Sequence, residues 1–150
     1  MHILNPILAI DYGKKRIGLA ISDVKGVIAS PLDVLHITEK RNEDTVIEDI
    51  LDIANEYRVK TILIGMPQEF EQSYKKTSKR IEEFKEKVSK VTDIPIVTYD
   101  ESYYTTEAKN MLLSLGQNSK SSKKKIDKIA ATVFLQEFLN SHTDKNENDN

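Results

Sequence analysis

Residues 9–23, AIDYGKKRIGLAISD, constrain the fold more tightly than any other part of the chain. The apolar run Ile7, Leu8, Ala9, Ile10 ends on one carboxylate, Asp11, and a short turn containing Gly13 leads straight into a second apolar run, Ile17 to Ile21. Two β-rich runs joined by a tight glycine-containing turn predict an antiparallel hairpin. Its first strand presents an acid at its carboxyl end, beside a backbone that can approach a phosphate closely. The acid has candidate partners far along the chain: Glu101, after another apolar strand, and Asp127, near the start of a helix.

The remaining pattern extends the hairpin into a sheet. A third strand is expected at about 32–37, after Pro31, and its short connection favours a meander. Asn42 is placed to cap a helix from about Glu43, with Val46, Ile47, Ile50, Leu51, Ala54 and Tyr57 at helical spacing. Thr61 to Gly65 is short and rich in branched apolar residues, as a buried parallel strand should be. After a loop over 66–74, a highly charged helix at about 75–91 carries only a thin apolar stripe, Ile81, Phe84, Val88 and Val91. Pro95 introduces a strand at 96–99, Thr105 caps a helix that Gly116 stops, and a last helix spans about 123–139. That last helix is expected to bury Ile126, Ile129, Ala130, Val133 and Phe134. The order βββαβαβαα predicts an α/β fold: a five-stranded mixed sheet with helices on both faces.

A chain of 150 residues is most simply one domain, able to bury roughly two-thirds of its unfolded surface. Residues 1–140 are read as that domain and 141–150 as a polar, disordered tail. No apolar run approaches the length that spans a bilayer, and the amino terminus lacks the basic start and cleavage site of a signal peptide, so no membrane partner is expected. The absence of cysteine excludes disulfides and thiolate metal sites and fits a cytoplasmic protein. The net charge is −2, but residues 144–150 hold three acids against one lysine, so the rest of the chain is formally neutral. Positive charge is local, at Lys14, Lys15 and Arg16 and again at Lys120, Lys123, Lys124, Lys125 and Lys128.

Asp11 and Glu101 stand at or just past the carboxyl ends of strands, where α/β sheets place ligands. Asp127 neighbours Ile126 at the margin of the last helix's apolar face. Hard oxygen donors without His or Cys suit Mg2+ or Mn2+, and such ions can activate a water against a phosphodiester. Each acid alone also has an ordinary reading, as a turn residue, a residue leading into a helix, or an acid favoured by a helix dipole. Lys14, Lys15, Arg16, Lys123, Lys124 and Lys125 are candidate contacts for nucleic-acid phosphates. Tyr103 and Tyr104 are candidates for base stacking, and Asp23 and Asp100 for auxiliary groups; His2, His36 and His142 have no partners at ligand spacing.

Three stretches together resemble the YqgF/RuvX family of Holliday-junction resolvases: the opening hairpin, TYDESYYTTEA at 98–108, and KKKIDKIAATVFLQEFL at 123–139. The similarity runs through nearly the whole chain to Leu139. It implies an RNase H-like fold, with Asp11 as the first-strand acid, Glu101 as the acid of the family's Asp-Glu-Arg segment, and Asp127 as the acid before the paired alanines, Ala130 and Ala131. The implied activity is metal-dependent hydrolysis of phosphodiesters in branched DNA or in precursor small-subunit ribosomal RNA. The chain departs from the family pattern at Ser102, where arginine is expected, at Tyr104, where a small hydroxyl residue is expected, and at Glu69 and Glu71-Gln72. Those departures motivate a second reading, a nucleic-acid-binding factor in ribosome assembly that has lost turnover. A sugar-kinase or actin-like phosphotransferase also begins with such a hairpin, but its cleft needs two domains. The expected partners are nucleic acid and the ribosome. The expected state is a monomer or a homodimer, since symmetric junction resolution takes two cuts and RNA trimming one.

Overall fold

The computed structural model describes residues 3–66, 74–100 and 122–148; in the last two segments the side chains described are 75–100 and 129–142. Glu101, Ser102, Tyr103, Tyr104, the expected Thr105 cap, Gly116 and the 67–73 loop lie outside the described residues.

Strands β1 (Ile7–Tyr12), β2 (Arg16–Ser22) and β3 (Ala29–His36) form the expected antiparallel meander. β3 begins three residues earlier than the sequence predicts and includes Pro31. The pairing explains this: Leu19 faces Asp33 and Ala20 faces Pro31, so Leu32 is an extra residue in a bulge. β3 is an edge strand, where a residue without an N–H is tolerated. Helix α1 (Glu43–Glu56) starts as predicted, with the Asn42 side chain accepting the Thr45 N–H at 3.0 Å. It ends with Arg58 at φ 55°, while the Val59 N–H returns to the Ala54 carbonyl at 2.8 Å. β4 (Thr61–Met66) pairs in parallel with both β1 and β5 (Ile96–Asp100), and α2 (Tyr74–Val91) lies between β4 and β5 in the chain. The sheet order is β3-β2-β1-β4-β5.

The last helix, α3 (Ser122–Asn148), continues to Asn148 instead of stopping near Leu139, and no glycine or proline interrupts that stretch. Its buried row also differs from the expected one. Ala131, Phe134, Leu135, Phe138 and Leu139 are buried, whereas Ile129, Ala130 and Val133 are half-buried. Residues 129–135 read IAATVFL, apolar almost all round, so periodicity there could not choose a face.

Each face of the sheet has its own core. Leu8, Ile10, Ile17, Leu19, Ile62 and Ile64 pack against α1 and α2, with Phe84 fully buried at the centre. Ile7, Ala9, Ala20, Leu63 and Tyr99 pack against α3, where Phe134 is equally buried. Val91, expected in the apolar stripe of α2, is instead 60% exposed, because the helix ends on it.

Removing either aromatic leaves a cavity on one face only. Phe84→Ala and Phe134→Ala should each lower stability by about 3–5 kcal/mol. Val91→Ala should stay within about 0.5 kcal/mol of the parent. Urea unfolding of the three variants, compared at constant m-value, checks this ordering.

Candidate active site

Alternation along β1 assigns the residues at its carboxyl end to opposite faces. Ile7 and Ala9 belong to the α3-side core and Leu8 and Ile10 to the other, so Asp11 continues the first row and Tyr12 the second. Asp11 is half-buried. Directly across from it on β2 is Gly18, a buried position with no side chain. On the other flank, Ile10 pairs with Ile64, and the next residue of β4 is the buried Gly65, which pairs with Tyr99. The carboxylate therefore stands between strands that offer glycine at its level on the α3 side.

Tyr12 fixes the strand end from the opposite side. Its ring packs on Phe84 with centroids 4.7 Å apart, and its hydroxyl donates to Glu43 Oε2 at 3.4 Å. Burial first, and then the charge of Glu43, pushes the Tyr12 hydroxyl up to about 12, so it remains a protonated donor through the neutral range. Lys87 in turn reaches Glu43 at 4.0 Å and Asp44 at 3.8 Å. The turn after Tyr12 requires glycine, because a Cβ on Gly13 would lie 2.5 Å from the Arg16 carbonyl oxygen. At the tip, the Lys15 carbonyl accepts the Ile37 N–H at 2.9 Å, which ties the hairpin to the end of β3.

The predicted site residues distribute as follows. Lys14 and Lys15 are exposed in the turn, and Arg16 opens β2 opposite His36. Lys14 lies on the Tyr12 side, where it lines a cleft of about 210 Å3 with Tyr12, Glu43, Arg80, Glu83 and Lys87. Asp127 is within α3, four residues before Ala131, so its backbone is in register with the row Ala131, Phe134, Phe138 that packs on the sheet. Its side chain, and those of Lys123, Lys124 and Lys125, lie outside the described set, as does Glu101, the residue after β5. Among the described residues no three His, Cys, Asp or Glu converge to hold a metal.

The auxiliary candidate Asp23 has a structural role, and so does His142. The Asp23 carboxylate accepts the backbone N–H groups of Val27 at 2.7 Å and Ile28 at 3.0 Å, and these bonds, the one from Ile28 foremost, lower its pKa. It closes the β2–β3 turn, at the opposite end of the sheet from Asp11. His142 packs its ring on Phe138, with centroids 4.0 Å apart, and its Nδ1 lies 2.9 Å from the Phe138 carbonyl oxygen. Sequence reasoning missed Tyr12 and Arg80, although alternation alone places Tyr12 behind Asp11.

The RuvX family, described as Holliday junction resolvase, matches residues 5–141. A protein of Thermoanaerobacter pseudethanolicus, provisionally named a pre-16S rRNA nuclease, is 34% identical over 140 residues, which cover 93% of this chain and 99% of that one. One of Desulforamulus reducens with the same provisional name is 37% identical over 138 residues, covering 90% and 96%. Among solved structures, T. thermophilus RuvC in complex with a Holliday junction substrate superposes with a TM-score of 0.60 at 12% identity, covering 95% of this chain and 96% of that one. The yeast mitochondrial Holliday junction resolvase Ydc2 gives 0.56 at 9% identity, covering 92% and 80%. At these identities the structures establish the shared fold, an RNase H-like α/β sheet.

The Tyr12 hydroxyl carries a pH signature. Its folded pKa exceeds the ordinary 10.0, so its contribution to stability is complete below about pH 10 and is lost as pH rises through about 12. Tyr12→Phe should flatten stability over that window, and absorbance titration of the parent near 295 nm should show one more tyrosine ionising near pH 12 than the variant does.

Proposed function

This chain belongs to the RuvX family, and from that membership and the placement of Asp11 we propose that it is a metal-dependent nuclease whose substrate is precursor small-subunit ribosomal RNA. The observation that carries the site is Asp11 at the carboxyl end of the central strand, half-buried on the α3 face and level with glycines. The choice of RNA rests on the relatives at 34% and 37% identity, named for pre-16S rRNA. The resolvase structures, at 12% and 9% identity, speak only for the fold, and branched DNA is the second substrate to test.

Asp11, Glu101 and Asp127 are the residues proposed to hold the ion. The donor set fits Mg2+ or Mn2+: three hard carboxylates, in a chain without cysteine, beside a strand position without a side chain. When bound, such an ion acidifies water and offsets charge developing on phosphorus oxygens. The chain's own contribution is geometric. Tyr12 and the Gly13 turn hold the end of β1 in one place, and the residue across β2 from Asp11 is Gly18, which has no side chain. Lys14, Lys15 and Arg16, with Lys123, Lys124 and Lys125, are proposed to hold flanking phosphates, which orients the scissile bond. We place this activity in the cytoplasm, on ribosome precursors; no helix among the described residues is long and apolar enough to cross a membrane.

Incubation of the full chain with Mn2+ and a precursor fragment containing a small-subunit rRNA end should yield a discrete cut, with a four-way DNA junction run in parallel. Asp11→Asn should slow cleavage by about a hundredfold or more, since loss even of residues that support a metal's ligands costs about 10–100-fold. Equal rates in the two proteins would remove Asp11 from the mechanism. Cleavage of the junction alone would transfer the same site to DNA.

A further inference from the structure

We propose that the first two turns of α2 and the tip of the β1–β2 hairpin form a second docking surface for the nucleic-acid backbone, on the opposite face of the sheet from Asp11; this rests on the nuclease reading above. The charge of α2 is segregated along its length. Lys75, Lys76, Lys79 and Arg80 occupy residues 74–80 with no acid among them, whereas from Ile81 to Val91 three acids balance three lysines. Counting Glu69 and Glu71 just before the helix, residues 67–80 still carry four cations against two acids.

All four cations are exposed, as are Lys14 and Lys15. None of the six belongs to an ion pair among the described residues, whereas Lys87 further along α2 is held by Glu43 and Asp44. Lys76 precedes Arg80 by one helical turn and so shares its flank, and Arg80 and Lys14 line one cleft. Helix and hairpin tip thus present exposed cations on both sides of that cleft, which Glu43 and Glu83 also line.

This arrangement runs against helix stability. Cations over the positive end of a helix repel both the dipole and one another, and acids would be favoured there. A polyanion relieves that repulsion and releases counterions. Among the described side chains the exposed large apolar ones lie elsewhere, at Leu4, Val24, Val27, Ile28, Tyr57 and Val91. The patch therefore fits a phosphate backbone better than a membrane or an apolar protein surface.

Its position matters as much as its charge. Asp11 and Tyr12 are consecutive and face opposite sides, so the hairpin tip that follows them is a ridge between the two faces. A strand bent over that ridge meets Asp11 on one side and Lys14, Arg80 and Lys76 on the other. The surface thus selects bent or branched nucleic acid long enough to cross the ridge.

The test compares the full-length parent with K76Q/K79Q/R80Q and, as a same-helix control, K85Q/K90Q. Binding of a labelled four-way DNA junction and of a labelled folded precursor-rRNA fragment is measured over a range of salt, with Ca2+ replacing Mn2+ to hold cleavage. Each lost phosphate contact should reduce the slope of log Kd against log salt by about 0.9 on a duplex and about 0.7 on a single strand. The triple variant should therefore lose about two to three units of slope, nearer three on the duplex junction, and bind at least about tenfold more weakly at low salt. The control should match the parent. A loss confined to one nucleic acid would identify which one crosses the ridge. Should the triple variant melt early, Arg80→Gln alone should still lower the slope by about one unit. Parent-like slopes in both variants, with a parent that cuts, would overturn the second surface and leave the nuclease intact. A parent that neither binds nor cuts would overturn both.

Discussion

Strand β1 is hydrogen-bonded along both edges, antiparallel to β2 and parallel to β4, and it is packed on both faces. Such a strand has no freedom to slip. A shift of one residue would exchange Ile7 and Ala9 with Leu8 and Ile10, and would send every side chain to the wrong core. The same constraint settles where the first charged residue goes. Asp11 is the next residue in the α3-side row, so the acid's face follows from the burial of the apolar residues before it.

Everything proposed about function depends on that division into faces. The α3 side receives Asp11, flanked by Gly18 and level with Gly65, and it is the side over which the helix bearing Asp127 runs. The other side receives Tyr12, whose ring and hydroxyl are held by Phe84 and Glu43. One aromatic anchor behind the sheet therefore positions an acid in front of it. Lys14 of the turn sits on the Tyr12 side, where it shares a cleft with Arg80 of the basic start of α2. The hairpin tip joins a chemical face to an electrostatic one.

Much of this was legible from the residues. The β1–β2 hairpin, the Asn42 cap, the parallel burial of β4 and the burial of Ile81, Phe84 and Val88 on α2 follow from alternation, cap chemistry and spacing, and the structure bears them out. The start of β3 was not legible, because a proline reads as a strand boundary unless a bulge on an edge strand is known to accommodate it. The buried row of α3 was not legible either, since IAATVFL is apolar in too many directions for period to decide. In the site, Asp11 stood out because a lone acid ended an apolar strand. Gly18 and Tyr12 did not, because their importance arises from pairing across β2 and from a contact with α2. The cations of α2 read as an ordinary solvated face until the cleft placed Arg80 beside Lys14.

The central claim is that Asp11, Glu101 and Asp127 meet at one divalent ion on the α3 face. A crystal structure of the full chain grown with Mn2+ and read by the metal's anomalous signal tests it most directly. The account predicts at least one ion with an Asp11 carboxylate oxygen in its coordination sphere, at about 2.0–2.6 Å, and with Glu101 and Asp127 completing it. Anomalous signal absent from Asp11, or an ion there with Glu101 and Asp127 directed elsewhere, would contradict it.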